Sequence, residues 1–324
     1  MSARKLAMAS LVLAFSVSPA NAQKMYWADF GGIVRANLDG SEIEVVVKGL
    51  FGVLGIAVDI PGGKIYWTNS AHKIRRANLD GSHVQDLITG GLDDPWGIAL
   101  DLGAGKMYWA NRLAGKIQRA NLDGSAIQDV VTTEAGPQGI ALDLEGGKVY
   151  WTLPFAASGK IRRANLDGSN VEDLVVISER QIVPVRIALD VPAGKMYWTL
   201  ADIVFLERPG KIQRANLDGS GVEDLIATKP FTNPRGIALD IRAEKLYWTD
   251  PQVGKIQRAN LDGSGVEDLV VGFPEPADIV LDLSRNEIPT VSEWGLVVMG
   301  LLVLTVGIVV LGRRRSRVSR WKSA

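Results

Sequence analysis

Few side chains in this sequence can carry acid–base, nucleophilic or metal chemistry. Its 324 residues include two histidines, His72 and His83, and no cysteine. Both histidines occupy variable slots of one repeat. There is no serine or cysteine nucleophile with a base, no HxxxH pair and no phosphate-cradling loop. Carboxylates are plentiful but periodic: Asp59, Asp101, Asp143, Asp190, Asp240 and Asp282 each close the same short apolar stretch. A residue repeated six times reads as structure, because a site needs asymmetry and a repeat does not. Each aspartate is predicted to cap a short turn and pair with the lysine that opens the next stretch; a six-fold metal ring is the competing reading. No cofactor is implied, and the chain is predicted not to be an enzyme. What breaks the repetition is cationic and aromatic: Trp96, Phe155, Arg186, Phe205 and Arg235. Arginine and aromatic side chains dominate binding hot spots. Arg186, Arg235 and Phe205 are predicted to form a patch for an anionic or mixed apolar partner. Trp96 and Phe155 either join it or pack beneath their own loops.

These residues hang on a repeat that is clearest from Gly236 to Leu269. KxYW begins at Lys24, Lys64, Lys106, Lys148, Lys195 and Lys245, and RANLDGS follows at Arg35, Arg76, Arg119, Arg163, Arg214 and Arg258. A third element, GIALD or a relative, begins at Gly55, Gly97, Gly139, Arg186, Gly236 and Asp278. The tyrosines are 40, 42, 42, 47 and 50 residues apart, a period of propellers, solenoids or arrays. Each unit reads as four strands. GIALD is an apolar run suited to burial on both faces, KxYWT is aromatic and β-branched, and KIQRAN and VEDLV flank a Gly-bearing hairpin turn. The acidic fourth strands, such as Glu172-Asp173, are expected to keep blade edges from pairing with other chains. Six four-stranded units fit an all-β, six-bladed β-propeller of antiparallel blades. Residue 23 starts at a second strand and 278–282 is a first strand with no KxYW after it, so the C-terminal strand is predicted to complete the N-terminal blade.

Loop lengths separate two faces. The first-to-second and third-to-fourth turns are constant. The second-to-third links grow from Ser70-Ala71-His72 to Leu153–Gly159 and Leu200–Gly210, and the links between blades also vary. In an antiparallel blade the variable links share one face, which is therefore free to specialise.

KIYWTN, KMYWAN and KLYWTD followed by RANLDG resemble the YWTD (class B) repeats of the low-density lipoprotein receptor family, across residues 24–282. The resemblance implies a six-bladed propeller that binds proteins and has no catalytic site. The final Asp of the motif survives at Asp29 and Asp250, is replaced mildly by Asn69 and Asn111, and is lost at Leu153 and Leu200. The cysteine-rich modules that flank these propellers in the receptors are absent, which leaves the receptors' particular ligands open. Six-bladed propellers also include calcium-dependent lactonases, which hold the metal with Glu, Asn and Asp at the channel mouth. The equivalent positions here are four glycines, Arg186 and Asp278, too few oxygens for an ion that takes 6–8.

The ends carry addresses. Arg4 and Lys5, an apolar run from Leu6 to Val17 and Ala20-Asn21-Ala22 read as a secretory signal at 1–22, cleaved between Ala22 and Gln23. After the propeller at 23–282 comes a short stalk at 283–295. An apolar run, Leu296–Gly312, is predicted to be a transmembrane helix, and 313–324 a basic cytoplasmic tail. Ile288-Pro289-Thr290, with Trp294 and Gly295, the apolar run and the arginines, resemble the IPTL-CTERM sorting signal of Gram-negative bacteria, with Val291 in place of the usual Leu. That resemblance implies an exosortase-like processing enzyme as partner. The protein is expected to be exported and anchored in the inner membrane with the propeller on the periplasmic side, or released after tail processing. Setting aside eight basic residues of the two end segments and Glu293 leaves 28 basic against 35 acidic residues in 23–287. That balance argues against nucleic acid and anionic lipid as main partners. The expected function is a cell-envelope module that displays the propeller to a protein or glycan. The alternatives are a lactonase-like calcium hydrolase with an unrecognised site and a ligand-free spacer.

Overall fold

The computed structural model describes residues 23–133, 136–154, 158–179, 182–202, 209–228 and 232–284. They form six four-stranded antiparallel sheets. Five blades use consecutive strands. Blade 1 is ordered Ile279–Asp282, Lys24–Asp29, Gly32–Asn37, Glu44–Lys48, with Trp27 opposite Ile279 and Lys24 opposite Asp282. The C-terminal strand thus completes the N-terminal blade, and Gln23–Ser284 is one compact unit.

The Tyr-Trp dipeptide explains why a ring forms. Neighbouring residues of a strand point to opposite faces, so Tyr and Trp of one blade enter different blade interfaces. Tyr26 packs with Trp67, Tyr66 with Trp109, Tyr108 with Trp151, Tyr150 with Trp198, Tyr197 with Trp248, and Tyr247 with Trp27. All twelve rings are at most 2 % exposed. Burying each contributes on the order of 3 kcal/mol before entropy is subtracted. The last pair joins blade 6 to blade 1, so the ring is closed by the same chemistry that built it.

RANLDGS stitches the same interfaces from one face. Arg35 Nη1 donates to the Leu79 carbonyl of the next blade at 3.3 Å, and equivalent bonds run from Arg76, Arg119, Arg163, Arg214 and Arg258 to Leu122, Leu166, Leu217, Leu261 and Leu38. The glycine of the turn is pressed against the preceding blade. Gly81 has φ +81°, and a Cβ there would lie 1.9 Å from the Val46 carbonyl oxygen. Only glycine accepts both the left-handed backbone and that approach.

Two sequence expectations change. The aspartates do cap their turns, as where Asp143 Oδ1 accepts from Gly146 N at 2.7 Å, but the lysines pair elsewhere. Lys195 Nζ donates to Asn216 Oδ1 at 2.7 Å, and each of the other five KxYW lysines bonds the Asn of its own RAN. Lys195 lies directly between Asp190 and Asn216, but the aspartate carboxylate is taken by its own turn, where Asp190 Oδ1 accepts from Ala193 N at 3.1 Å. The first strands are also not buried on both faces. Ala238 and Leu239 are half-buried, because as innermost strands they border a central channel. The fourth-strand acids form ion pairs along the blade edge, as where Asp173 pairs with Lys160 at 2.8 Å and also with Arg162.

The constant turns hydrogen-bond to each other, for example Leu79 N to the Gly63 carbonyl at 3.0 Å and Leu122 N to that of Gly105 at 3.0 Å. The variable links meet on the other side, where Arg112 N donates to the Asp94 carbonyl at 3.0 Å. The two classes of loop therefore occupy opposite faces.

Candidate channel-mouth site

On the variable face the first strands converge around the channel. Close approach there demands glycine: a Cβ on Gly55, Gly97 or Gly139 would lie 2.4, 2.6 or 2.7 Å from the carbonyl oxygen of Trp96, Gln138 or Val185. The Thr that follows each of several Tyr-Trp pairs fastens this rim. Thr152, Thr199 and Thr249 donate to the carbonyls of Val185, Arg235 and Ala277 at 3.0, 2.7 and 3.0 Å.

Two positions of the rim are not glycine, and they find each other. Arg186 Nε donates to Asp278 Oδ1 at 3.1 Å, from blade 5 to blade 1. Arg186 Nη2 bonds the Leu54 carbonyl of blade 2, and Asp278 Oδ2 accepts from Ile56 N at 3.1 Å. The residues are 6 % and 7 % exposed. Below this plug is a cavity of about 290 Å³ walled by first-strand side chains such as Ile98, Ile140 and Ile237.

Trp96 lies beside it, with two guanidinium groups over its ring. The Arg186 and Arg112 guanidinium carbons lie 5.4 and 5.2 Å from its ring centroid. Its Nε1 donates to Asp94 Oδ2 at 2.9 Å, and Asp94 also accepts from Arg112 Nε. Arg235 completes the rim. It is half-buried, with no carboxylate within ion-pair distance among the described residues. Burial, and then the neighbouring Arg186 charge, push its pKa down.

The structure therefore brings Trp96, Arg186 and Arg235 together at one mouth. Arg186 differs from the expectation of a ligand-facing cation. Its Nε and Nη2 are committed within the protein, and Nη1 is left buried without a partner. Phe155 and Phe205 lie outside the described residues, as do the sorting-motif positions Ile288, Pro289, Thr290, Trp294 and Gly295. Ala22 and the Leu296–Gly312 run are outside them too; Gln23 is the first residue described. Among the described residues no helix is long and apolar enough to cross a membrane, and no group of three or more His, Cys, Asp or Glu is placed to hold a metal. His72 and His83 are exposed and sit on opposite faces. His72 Nδ1 lies 3.3 Å from the Leu92 carbonyl oxygen, whereas His83 flanks a constant turn beside Asn78 and Ser82.

Sequence reasoning missed an aromatic pair on the variable face. Phe30 and Phe51, from two adjoining links, stack edge-on with centroids 6.2 Å apart and are 56 % and 71 % exposed. Their signal was present, since neither Phe recurs in another copy. The site also has a buried acid nearby. Asp250 is fully buried and accepts from Asn233 N at 3.0 Å and Gln252 N at 3.1 Å, and burial pushes its pKa up.

Residues 63–102 match the low-density lipoprotein receptor repeat class B, and residues 288–315 match the IPTL-CTERM motif. Human low-density lipoprotein receptor-related protein 4 is 55 % identical over 40 residues, which are 12 % of this chain and 2 % of that protein. Human low-density lipoprotein receptor-related protein 5-like protein is 38 % identical over 72 residues, 21 % of this chain and 29 % of that one. The chain thus matches a small part of each curated relative. In structure, a chain of the nidogen/laminin complex superposes with a TM-score of 0.70 at 22 % identity, covering 81 % of this chain and 99 % of that chain. These matches place a low-density lipoprotein receptor class B repeat at residues 63–102 and an IPTL-CTERM motif at residues 288–315, and the structural likeness is to the β-propeller fold that the six sheets and their ring of Tyr and Trp form.

Proposed function

We propose that the protein is a non-enzymatic binding module of the cell envelope, and that its ligand seats at the channel mouth against Arg235 and Trp96, over the Arg186–Asp278 plug. The observation that carries this reading is the unbalanced cationic rim. Among the described residues Arg235 has no carboxylate partner, while the rim carboxylate, Asp278, is already engaged by Arg186. Desolvated guanidinium groups bind carboxylates strongly when one is supplied. A protein segment with an acidic side chain and apolar neighbours fits this chemistry, with Phe30 and Phe51 offering further apolar contact. The similarity to a chain from the nidogen/laminin complex, a protein–protein assembly, supports the same reading. Among the described residues no rim side chain is disposed as a general base, and Asp278 is bound to a cation rather than free for a metal. The addresses at the two ends complete the proposal. Residues 1–22 export the chain, Leu296–Gly312 anchors it with the propeller outside the cytoplasm, and an exosortase-like enzyme acts on the IPTL-CTERM motif.

Capture from envelope extracts tests the mouth. Binding should be lost with Arg235→Ala and Trp96→Ala, and kept with Ser125→Ala and Asn170→Ala on the constant face. Loss with the second pair and retention with the first would place the interface on the wrong side.

A further inference from the structure

One blade edge departs from the other five. In blades 2 to 6 the second residue of the fourth strand is an aspartate, from Asp86 to Asp268, clasped by two side chains of the third strand. Asp86, for example, takes Lys73 and Arg75, each at 2.6 Å. Blade 1 has Gly32, Val34 and Val45 at the three positions. A lysine cannot simply be restored there, because a Cβ on Gly32 would lie 2.0 Å from the Val47 carbonyl oxygen. Val45 is 45 % exposed where the other blades carry the clasped acid. All six fourth strands have a bulge at the same point, so the bulge does not set blade 1 apart; the missing clasp does.

The strand reads Glu44-Val45-Val46-Val47-Lys48, and among the described residues it pairs on one side only. An open edge of β-branched residues is a template for another strand. On the other five edges an added strand would strip water from the clasped aspartate, which is costly; here there is no such acid. The ends of the strand choose the partner. Glu44 pairs with Arg35 of its own blade yet keeps 53 % of its side chain exposed, and Lys48 is exposed. Laid antiparallel on a second copy, Glu44 of each chain faces Lys48 of the other, a favourable cross-strand pair. Laid parallel, like charges would meet. No other fourth strand ends in a cation, the last residues being Ile88, Thr132, Ile177, Ala227 and Val271. This edge alone is complementary to itself, and in one orientation.

We propose that the outer edge of blade 1 is a self-association surface, at which two copies join their Glu44–Lys48 strands antiparallel across a two-fold axis. Each strand runs from the constant turn at Ser41 to the variable link at Phe51, so one propeller is inverted relative to the other. The two channel mouths then open in opposite directions. Innermost strands form the mouths and outermost strands the joint, so pairing leaves both mouths open.

The mass of the full chain in density-matched detergent, read by sedimentation equilibrium, tests this. The parent should be a dimer, and Glu44→Lys, Lys48→Glu and Val45→Asp should each be monomers. Equal amounts of Glu44→Lys and Lys48→Glu, mixed, should restore the doubled mass, since each then supplies the charges the other lacks; this also shows that both variants fold. Glu267→Lys makes the same exchange beside Arg258 on blade 6 and should remain a dimer. A monomeric parent overturns the proposal, as does a mixture that stays monomeric. Doubled mass in every variant places the association elsewhere and refutes the edge. A parent that is monomeric when pure, but carries a different co-purifying chain that Val45→Asp loses, assigns the edge to another protein and likewise refutes the second copy.

Discussion

The plug across the channel makes a quantitative claim about stability. In Arg186→Met the guanidinium is lost, and the buried Asp278 keeps only the Ile56 N–H as a partner. In Asp278→Asn the acceptor for Ile56 survives, and the buried Arg186 loses its counter-ion. Removing one member of a buried pair costs about 3 kcal/mol, because the other charge stays desolvated and unpaired. Arg186→Met also removes one cation from the Trp96 face, adding roughly 1 kcal/mol. The double variant leaves no orphaned charge, so the two losses should not add, and a coupling energy of about 2 kcal/mol is expected. Thermal and urea unfolding of all four proteins reads this cycle. For a domain of this size about 3 kcal/mol corresponds to roughly 6–12 °C in Tm. The coupling should also persist at high salt, since the pair is buried. Additive losses, or a single variant costing less than about 1 kcal/mol, would show that the pair does not plug the channel.

Two further outcomes follow from buried groups. Asp250→Asn should be at least as stable as the parent at neutral pH, because burial raises the Asp250 pKa above its ordinary 3.8 and ionising it in the folded state therefore costs stability. For such a group the stability is fully present below pH 3.8 and falls as pH rises through the raised folded value, so the gap between variant and parent should close on acidification in pH-dependent unfolding. Deleting Ala277–Asp282 removes Ile279 from the Trp27–Tyr247 interface together with the innermost strand of blade 1, and should cost several kcal/mol and bring aggregation; an unchanged Tm would mean that this strand does not close the ring.

Much of the scaffold could be read from residue order because each feature was written six times. Tyr and Trp as core, Asp as turn cap and the C-terminal strand in blade 1 need only local pattern and counting. The lysine partner was missed because aspartate and asparagine both lie directly across from the lysine, and only the structure shows the aspartate carboxylate already taken by its own turn. Arg186 and Asp278 were both visible as the non-glycine rim positions, but 92 residues separate them, and only the closed ring shows that they meet. Leu153 and Leu200 looked like defects of the motif. The acceptor they replace serves a neighbouring link in other blades, as Asn111 Oδ1 does for Asp93 N at 2.7 Å. Both leucines are fully buried and substitute packing for that hydrogen bond.

The division of each Tyr-Trp pair between two interfaces bears on how the chain is made. Five interfaces join blades that follow one another in synthesis, whereas the sixth joins Tyr247 to Trp27 and needs the strand at Ile279–Asp282, which comes last. Until that strand arrives, one end of the growing arc offers a tyrosine face and the other a tryptophan face, each the complement of the other. Two unfinished arcs are therefore as complementary to each other as one arc is to itself. Whether a ring closes on its own chain or exchanges ends with a neighbour is decided by local concentration, and crowding of nascent copies selects the exchanged form.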